Sequence, residues 1–253
     1  MKHSVAMIFC VSALLGSDLD HSDWDQIAKK YINTEHRVDY ARLKQESSTQ
    51  LDRYAAMLAL PWPTDLGENP RKAALINAYN ALTVRWILTN YPVASIWKTS
   101  KPFSQARHRV NGRNVSLDQL EKQLRDGGDP RIHAALVGAA RSCPPLRREA
   151  FGAATLDAQL DDNTREWLRI STLNSFDAAS NKADVSSIFK WYKSDFELKG
   201  STLAAFLSRY GPAGNFSKIT FKDYDWGLND STDTGRKYSS MSLYWDYLKN
   251  KLP

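Results

Sequence analysis

Apolar residues recur every three to four positions along much of this chain, the spacing that gathers them on one face of an α-helix. From Asp23 to Ile32 the recurring set is Trp24, Ile27, Ala28, Tyr31 and Ile32, with Ser22 placed to cap the helix. A short helical stretch around Leu43 follows. A third helix after Ser47-Ser48 carries Leu51, Tyr54, Ala55 and Leu58, and Pro61-Trp62-Pro63 ends it. The longest pattern opens at Asn69-Pro70, because proline is well tolerated at the first helical position. It runs through Ala73, Ile76, Tyr79, Asn80, Thr83, Val84, Trp86 and Ile87 and stops before Tyr91-Pro92. Helices are also expected after Ser116, with Gln119 as a capping-box partner, from Thr155 to Ile170, after Ser186-Ser187, and after Ser201.

Strand signals are fewer. Arg107 to Val110, Asn111-Gly112 and Arg113 to Leu117 read as a hairpin, since a type I′ turn needs positive φ at both central residues. Ile219 and Phe221 alternate with Lys218, Thr220 and Lys222, a strand with one wet face. The run Ile132 to Ala140 is short and apolar, and periodicity alone leaves helix and buried strand open; we read it as a strand. The polar stretch Asn229 to Ser240 reads as a loop before a last amphipathic segment, Leu243 to Leu248. The expected fold is α+β: a mainly helical single domain with a small antiparallel or mixed sheet near the hairpin, the 132–140 run and the strand after 218.

Composition supports one folded unit. The 253 residues are 42% hydrophobic, enough for a sizeable core, and no repeat, low-complexity linker or shift in composition divides them. A net charge of +6 is mild and spread along the chain, so it does not mark a nucleic-acid binder. No apolar run reaches the length of a membrane span. Lys2 and His3 lead into an apolar run from Val5 to Leu15, then Gly16-Ser17, the shape of a secretory signal over residues 1–17. The alternative is an N-terminal core helix. On the signal reading the protein is exported, to a periplasm or outside the cell, and residues 18–253 form the mature domain. Cleavage would remove Cys10 and leave Cys143 as the only thiol.

The chemistry worth following centres on Asp129 to Pro145, DPRIHAALVGAARSCPP. A cysteine becomes a nucleophile when positive charge or an adjacent base lowers its pKa. Arg141, Arg147 and Arg148 are close in sequence, His133 or His108 can supply a base, and Asn77, Asn80 or Glu121 can orient the imidazole. Asn80 falls in the apolar stripe of its helix, where an amide is either a structural hydrogen-bonding group or an oxyanion stabiliser. Asp118, Glu121 and Arg125 also read as a solvated helix edge. Ser142, Arg131, Asn77 and Trp191-Tyr192 are candidate ligand contacts, although Trp191-Tyr192 and Tyr224-Asp225-Trp226 also suit a core. His21, His36, His108 and His133 show no metal-ligand spacing, and no phosphate loop is present, so neither metal nor cofactor is expected.

The stretches LINAYNALTVRWIL, SLDQLEKQLR, DPRIHAALVGAARSCPPLRREAF, LDAQLDD, IFKWYKSDF and ITFKDYDWGLN resemble the family called domain of unknown function 547. The resemblance covers about residues 38 to 229 and implies no established activity. The family pattern usually has Phe-Trp where this chain has Ala74-Leu75, and often His at Lys122. Some relatives carry Ser at the position of Cys143, which weakens any function that needs sulfur itself.

Two functions follow from these residues. One is a cysteine-dependent hydrolase or acyl transferase acting on a peptide- or amide-like substrate. The other is a non-catalytic ligand- or protein-binding domain in which the same polar residues form a structural network. The expected partner is a small molecule or peptide, and the sequence leaves the oligomeric state open. An imidazole nitrogen beside the Cys143 sulfur, in an open cleft, would favour the enzyme. A packed sulfur without a base would favour the binding domain.

Overall fold

The computed structural model describes residues 18–232 and Tyr238. The expected signal at 1–17 and the segment Leu243 to Leu248 lie outside the described residues, as does most of the loop after 232.

Three helices build the N-terminal half: α1 (Ser22–Tyr31), α2 (Tyr40–Ala59) and α3 (Glu68–Asn90). The two helices expected around Leu43 and after Ser47 are one element with a kink, because Ser47 leaves helical geometry at φ −143° and ψ 19°. From Ala73 to Val84 every residue of α3 is buried. A helix enclosed on all sides is a core helix rather than an amphipathic one, so its polar residues must bond inside the protein.

The hairpin forms as expected, with β1 (His108–Val110) antiparallel to β2 (Arg113–Val115). Asn111 and Gly112 have φ of 48° and 72°, the positive values a type I′ turn demands. The hairpin tip also closes the C-terminal end of α2: Asn111 N–H donates to the Leu58 carbonyl at 2.9 Å and Gly112 N–H to that of Ala59 at 3.0 Å. The Ser116–Gln119 capping box opens α4 (Leu117–Asp126), which buries Leu117, Leu120 and Leu124.

The 132–140 run is not a strand. It contains a single helical turn, α5 (Ile132–Ala135), and then an irregular segment with Ala139 at φ 58°. The physical reason lies in α3. The Asn80 amide donates to the Ala135 carbonyl at 2.8 Å and accepts the Val137 N–H at 2.9 Å, taking backbone groups that a neighbouring strand would have used.

Next come α6 (Leu156–Arg169), β3 (Ser175–Asp177), β4 (Lys182–Val185), α7 (Ile188–Trp191), α8 (Lys193–Phe196), α9 (Leu203–Tyr210) and β5 (Lys218–Phe221). The strand after 218 is present, but its partner is β4, in a mixed sheet ordered β3-β4-β5. The hairpin is a separate sheet. The protein is therefore α+β and mainly helical, with sheet membership different from that expected. One hydrophobic cluster extends from Trp24 to Leu228.

Candidate functional site

The Cys143 turn is held by the segment 224–229, which runs beside it. Arg141 N–H donates to the Gly227 carbonyl at 2.8 Å, Ser142 N–H to that of Asp225 at 3.1 Å, and Asn229 N–H to that of Ala139 at 3.1 Å. The Ser142 hydroxyl accepts the Asp225 N–H at 2.9 Å, so Ser142 helps to fasten the two segments. A Cβ at Gly227 would overlap the Arg141 guanidinium, which would have to move.

Cys143 is packed, with 7% of its surface exposed. Its sulfur lies 3.1 Å from the Tyr224 hydroxyl and accepts the Ala140 N–H at 3.4 Å. Burial pushes the thiol pKa up, against the lowering effect of Tyr224 and of the Ala140 and Gly138 N–H groups. The resting state is a thiol rather than a thiolate.

His133 does not serve this sulfur. Its Nε2 is 2.8 Å from Asp195 Oδ2, and its ring stacks on Tyr192 with centroids 4.3 Å apart. Burial lowers its pKa to about 4 in spite of Asp195, so the imidazole is neutral with Nε2–H donating. Asp195 is held near 2, first by Arg125, whose Nε is 2.6 Å away, and then by His133. His108 is also buried and lowered to about 4, with the charges of Arg107 and Arg85 adding to the effect of burial.

Glu121 is not a solvated edge. Its carboxyl is partly enclosed near the Tyr192 hydroxyl, and burial raises its pKa. The buried phenol of Tyr79 lies within electrostatic reach of Glu121, Tyr192 and Cys143. The structure therefore brings Cys143, Tyr224, Tyr79, Tyr192 and Glu121 into one neighbourhood, with His133 stacked on Tyr192 and turned to Asp195.

The asparagines of α3 are elsewhere engaged. Asn77 donates to the Phe151 carbonyl at 2.8 Å and accepts the Phe151 N–H at 2.9 Å, and Asn80 grips 135–137 in the same manner. Arg131 holds carboxylates: Asp129 at 2.9 Å, Asp157 at 2.7 Å and Asp161 at 2.6 Å. Neither asparagine nor Arg131 presents a spare hydrogen-bonding end to the Cys143 turn.

Above the sulfur is an aromatic cluster. Tyr224 and Trp226 have ring centroids 4.5 Å apart, and Trp191 lies 4.8 Å from Tyr224. Trp191 also stacks on Trp226 at 5.9 Å, with planes 13° apart, and Trp97 meets Trp226 edge-on at 5.3 Å. Phe103 touches Trp97, and a Cβ on Gly138 would lie 3.3 Å from the Phe103 ring and 3.9 Å from the Cys143 sulfur. Trp191 is 47% exposed. Sequence reasoning singled out Trp191 and Tyr192, weighed Tyr224 and Trp226 as core or cleft lining, read Arg125 as a solvated helix edge, and did not select Tyr79, Trp97 or Asp195. The Tyr-Asp-Trp triplet was the available signal.

A separate cavity of about 290 Å³ lies between Asp18–Asp25 and Ala150–Ala153 and contains none of these residues. Among the described residues no group of three or more His, Cys, Asp or Glu side chains converges as a metal ion would require. No described helix is long and apolar enough to cross a membrane.

No curated protein and no solved structure matches the chain. Residues 63–168 match the family described as Protein of unknown function, DUF547. That interval includes Asn77, Asn80, Glu121, Arg131, His133 and Cys143, while Trp191, Tyr192 and Tyr224 follow it. Over residues 63–168 the chain is thus similar to the DUF547 family.

Proposed function

We propose that this domain binds a small-molecule or peptide ligand on the aromatic face formed by Trp191, Trp226 and Tyr224, with Cys143 packed beneath it as a thiol. The observation that carries this reading is the exposure of Trp191. Trp24, Trp62 and Trp167 are 2%, 5% and 0% exposed, whereas Trp191 leaves 47% of its surface in water. Exposing that much indole forgoes on the order of 1 kcal/mol of burial. A flat ring stacked parallel to a second one offers a ligand a broad apolar surface with little entropy to lose. A sugar ring or the side of a peptide suits such a surface.

The test is a fluorescence titration of wild type and Trp191→Ala with oligosaccharides and with proline-rich peptides. Saturable binding in the wild type, weakened at least about tenfold by the substitution, is the expected result. Equal binding by both proteins would remove the platform role.

A thiol-dependent hydrolase or acyl transferase acting on a peptide- or amide-like substrate is the second reading. It is favoured by the N–H groups of Ala140 and Gly138 and the hydroxyl of Tyr224, all of which stabilise charge on the Cys143 sulfur. It requires Tyr224 to move aside and a base other than the Asp195-bound His133. Export, proposed from residues 1–17 alone, is tested by the mass of the mature chain: loss of the first seventeen residues supports it.

A further inference from the structure

Segments 37–38, 227–231 and 139–141 lie side by side. Val38 N–H donates to the Asn229 carbonyl at 2.9 Å, Ser231 N–H to that of Val38 at 2.9 Å, and Arg141 N–H to that of Gly227 at 2.8 Å. Arg37 is fixed in this layer by its own backbone, which donates to the Asn33 side chain at 2.8 Å and accepts the Asn33 N–H at 2.9 Å. Its guanidinium is within electrostatic reach of Arg141, Asp225 and Cys143.

Among the described residues that guanidinium makes no hydrogen bond and no ion pair, although Arg37 is half-buried. Arg125, Arg131, Arg141 and Arg147 each hold a carboxylate. Withdrawing a charge from water without a partner is unfavourable, and a second guanidinium nearby adds repulsion. Both effects lower the pKa of Arg37, burial first and Arg141 next, and Asp225 and Glu35 offset them only in part. An arginine fixed at its backbone, short of a counter-charge and set beside the Cys143 turn has the properties of an anion receptor.

We infer that Arg37 binds the carboxylate of a ligand at the edge of the Cys143 turn. A guanidinium pairs with a carboxylate through two parallel N–H bonds. The single charge of a carboxylate matches the single uncompensated charge of Arg37. Nearby Asp225 repels a second negative charge, which disfavours a phosphate dianion. This inference goes beyond the aromatic face and does not depend on it, because its readout is discrimination between an acid and its amide.

The experiment uses the full chain with three probes: N-acetylglycine, N-acetylglycinamide and inorganic phosphate. Binding is followed by ligand-detected NMR and by the Arg37 side-chain Nε–H resonance. The wild type is expected to bind the acid about tenfold more tightly than the amide, with the Arg37 resonance moving only for the acid. Arg37→Gln is expected to erase the preference. Equal binding of acid and amide, absence of acid binding, or an unmoved Arg37 resonance in the wild type would overturn the inference without any variant. A preference that persists in Arg37→Gln would overturn the assignment to Arg37, and tighter binding of phosphate would overturn the carboxylate.

Discussion

The amides of α3 and the turn around Cys143 are both polar and both buried, yet the protein treats them in opposite ways. Asn77 and Asn80 each apply both ends of the amide to a backbone segment, Phe151 in one case and 135–137 in the other. The nitrogen and the oxygen of each amide are both engaged. Around Cys143 capacity is left over: a thiol held by weak contacts, an exposed Trp191, an Arg37 with no ion pair among the described residues and a Glu121 whose ionisation is opposed by burial. Saturated polar groups stabilise a fold, and unsaturated ones near a surface mark where something else binds.

Substitutions sharpen that contrast. The largest loss is expected from Arg131→Met, because Asp161 would lose its cation and Asp129 would keep only Lys72. Removing one member of a buried ionic cluster costs about 3–5 kcal/mol, and urea unfolding measures it. A loss below about 1 kcal/mol would return Arg131 to the ligand contacts. Asn80→Ala is next, at about 2–4 kcal/mol, since it leaves the Ala135 carbonyl and the Val137 N–H unsatisfied. If this variant were as stable as the wild type, the structural reading of Asn80 would fail.

Acid sensitivity gives a smaller effect. His133 has a folded pKa near 4, below the ordinary 6.5, so the unfolded chain takes up its proton first. Stability linked to this residue is intact above pH 6.5 and is lost as the pH falls toward 4. By pH 4.5 the loss is about 2 kcal/mol, and His133→Gln is expected to lack that share. Identical pH dependence of urea midpoints in the two proteins would show that the fold does not lower the pKa of His133.

Much of the helical frame was legible because it depends on local patterns. The Ser47 break, the Asn111-Gly112 turn and the Ser116–Gln119 box were each written within a few residues. The 132–140 run misled because the group that claims its backbone, Asn80, lies more than fifty residues earlier. β3 and β4 do alternate polar and apolar residues, but at three and four residues they are too short for that alternation to mark a strand. Of the residues singled out from the sequence, Cys143, Glu121 and Tyr192 share a neighbourhood. His133 was found without its partner, since Asp195 lies sixty-two positions away. Arg131 was read as a ligand contact because two of its acids, Asp157 and Asp161, come from α6. No sequence pattern separates an exposed Trp191 from a buried one.

The most direct test of the central claim, that Cys143 is a packed thiol rather than a histidine-activated nucleophile, is its alkylation by iodoacetamide as a function of pH. The label is located by peptide mapping, and wild type is compared with His133→Ala in the folded and the urea-unfolded chain. The account predicts slow labelling of the folded protein near neutral pH, no dependence on His133, and a sharp acceleration on unfolding. Rapid labelling of folded wild type near pH 7 that is lost in His133→Ala would contradict it.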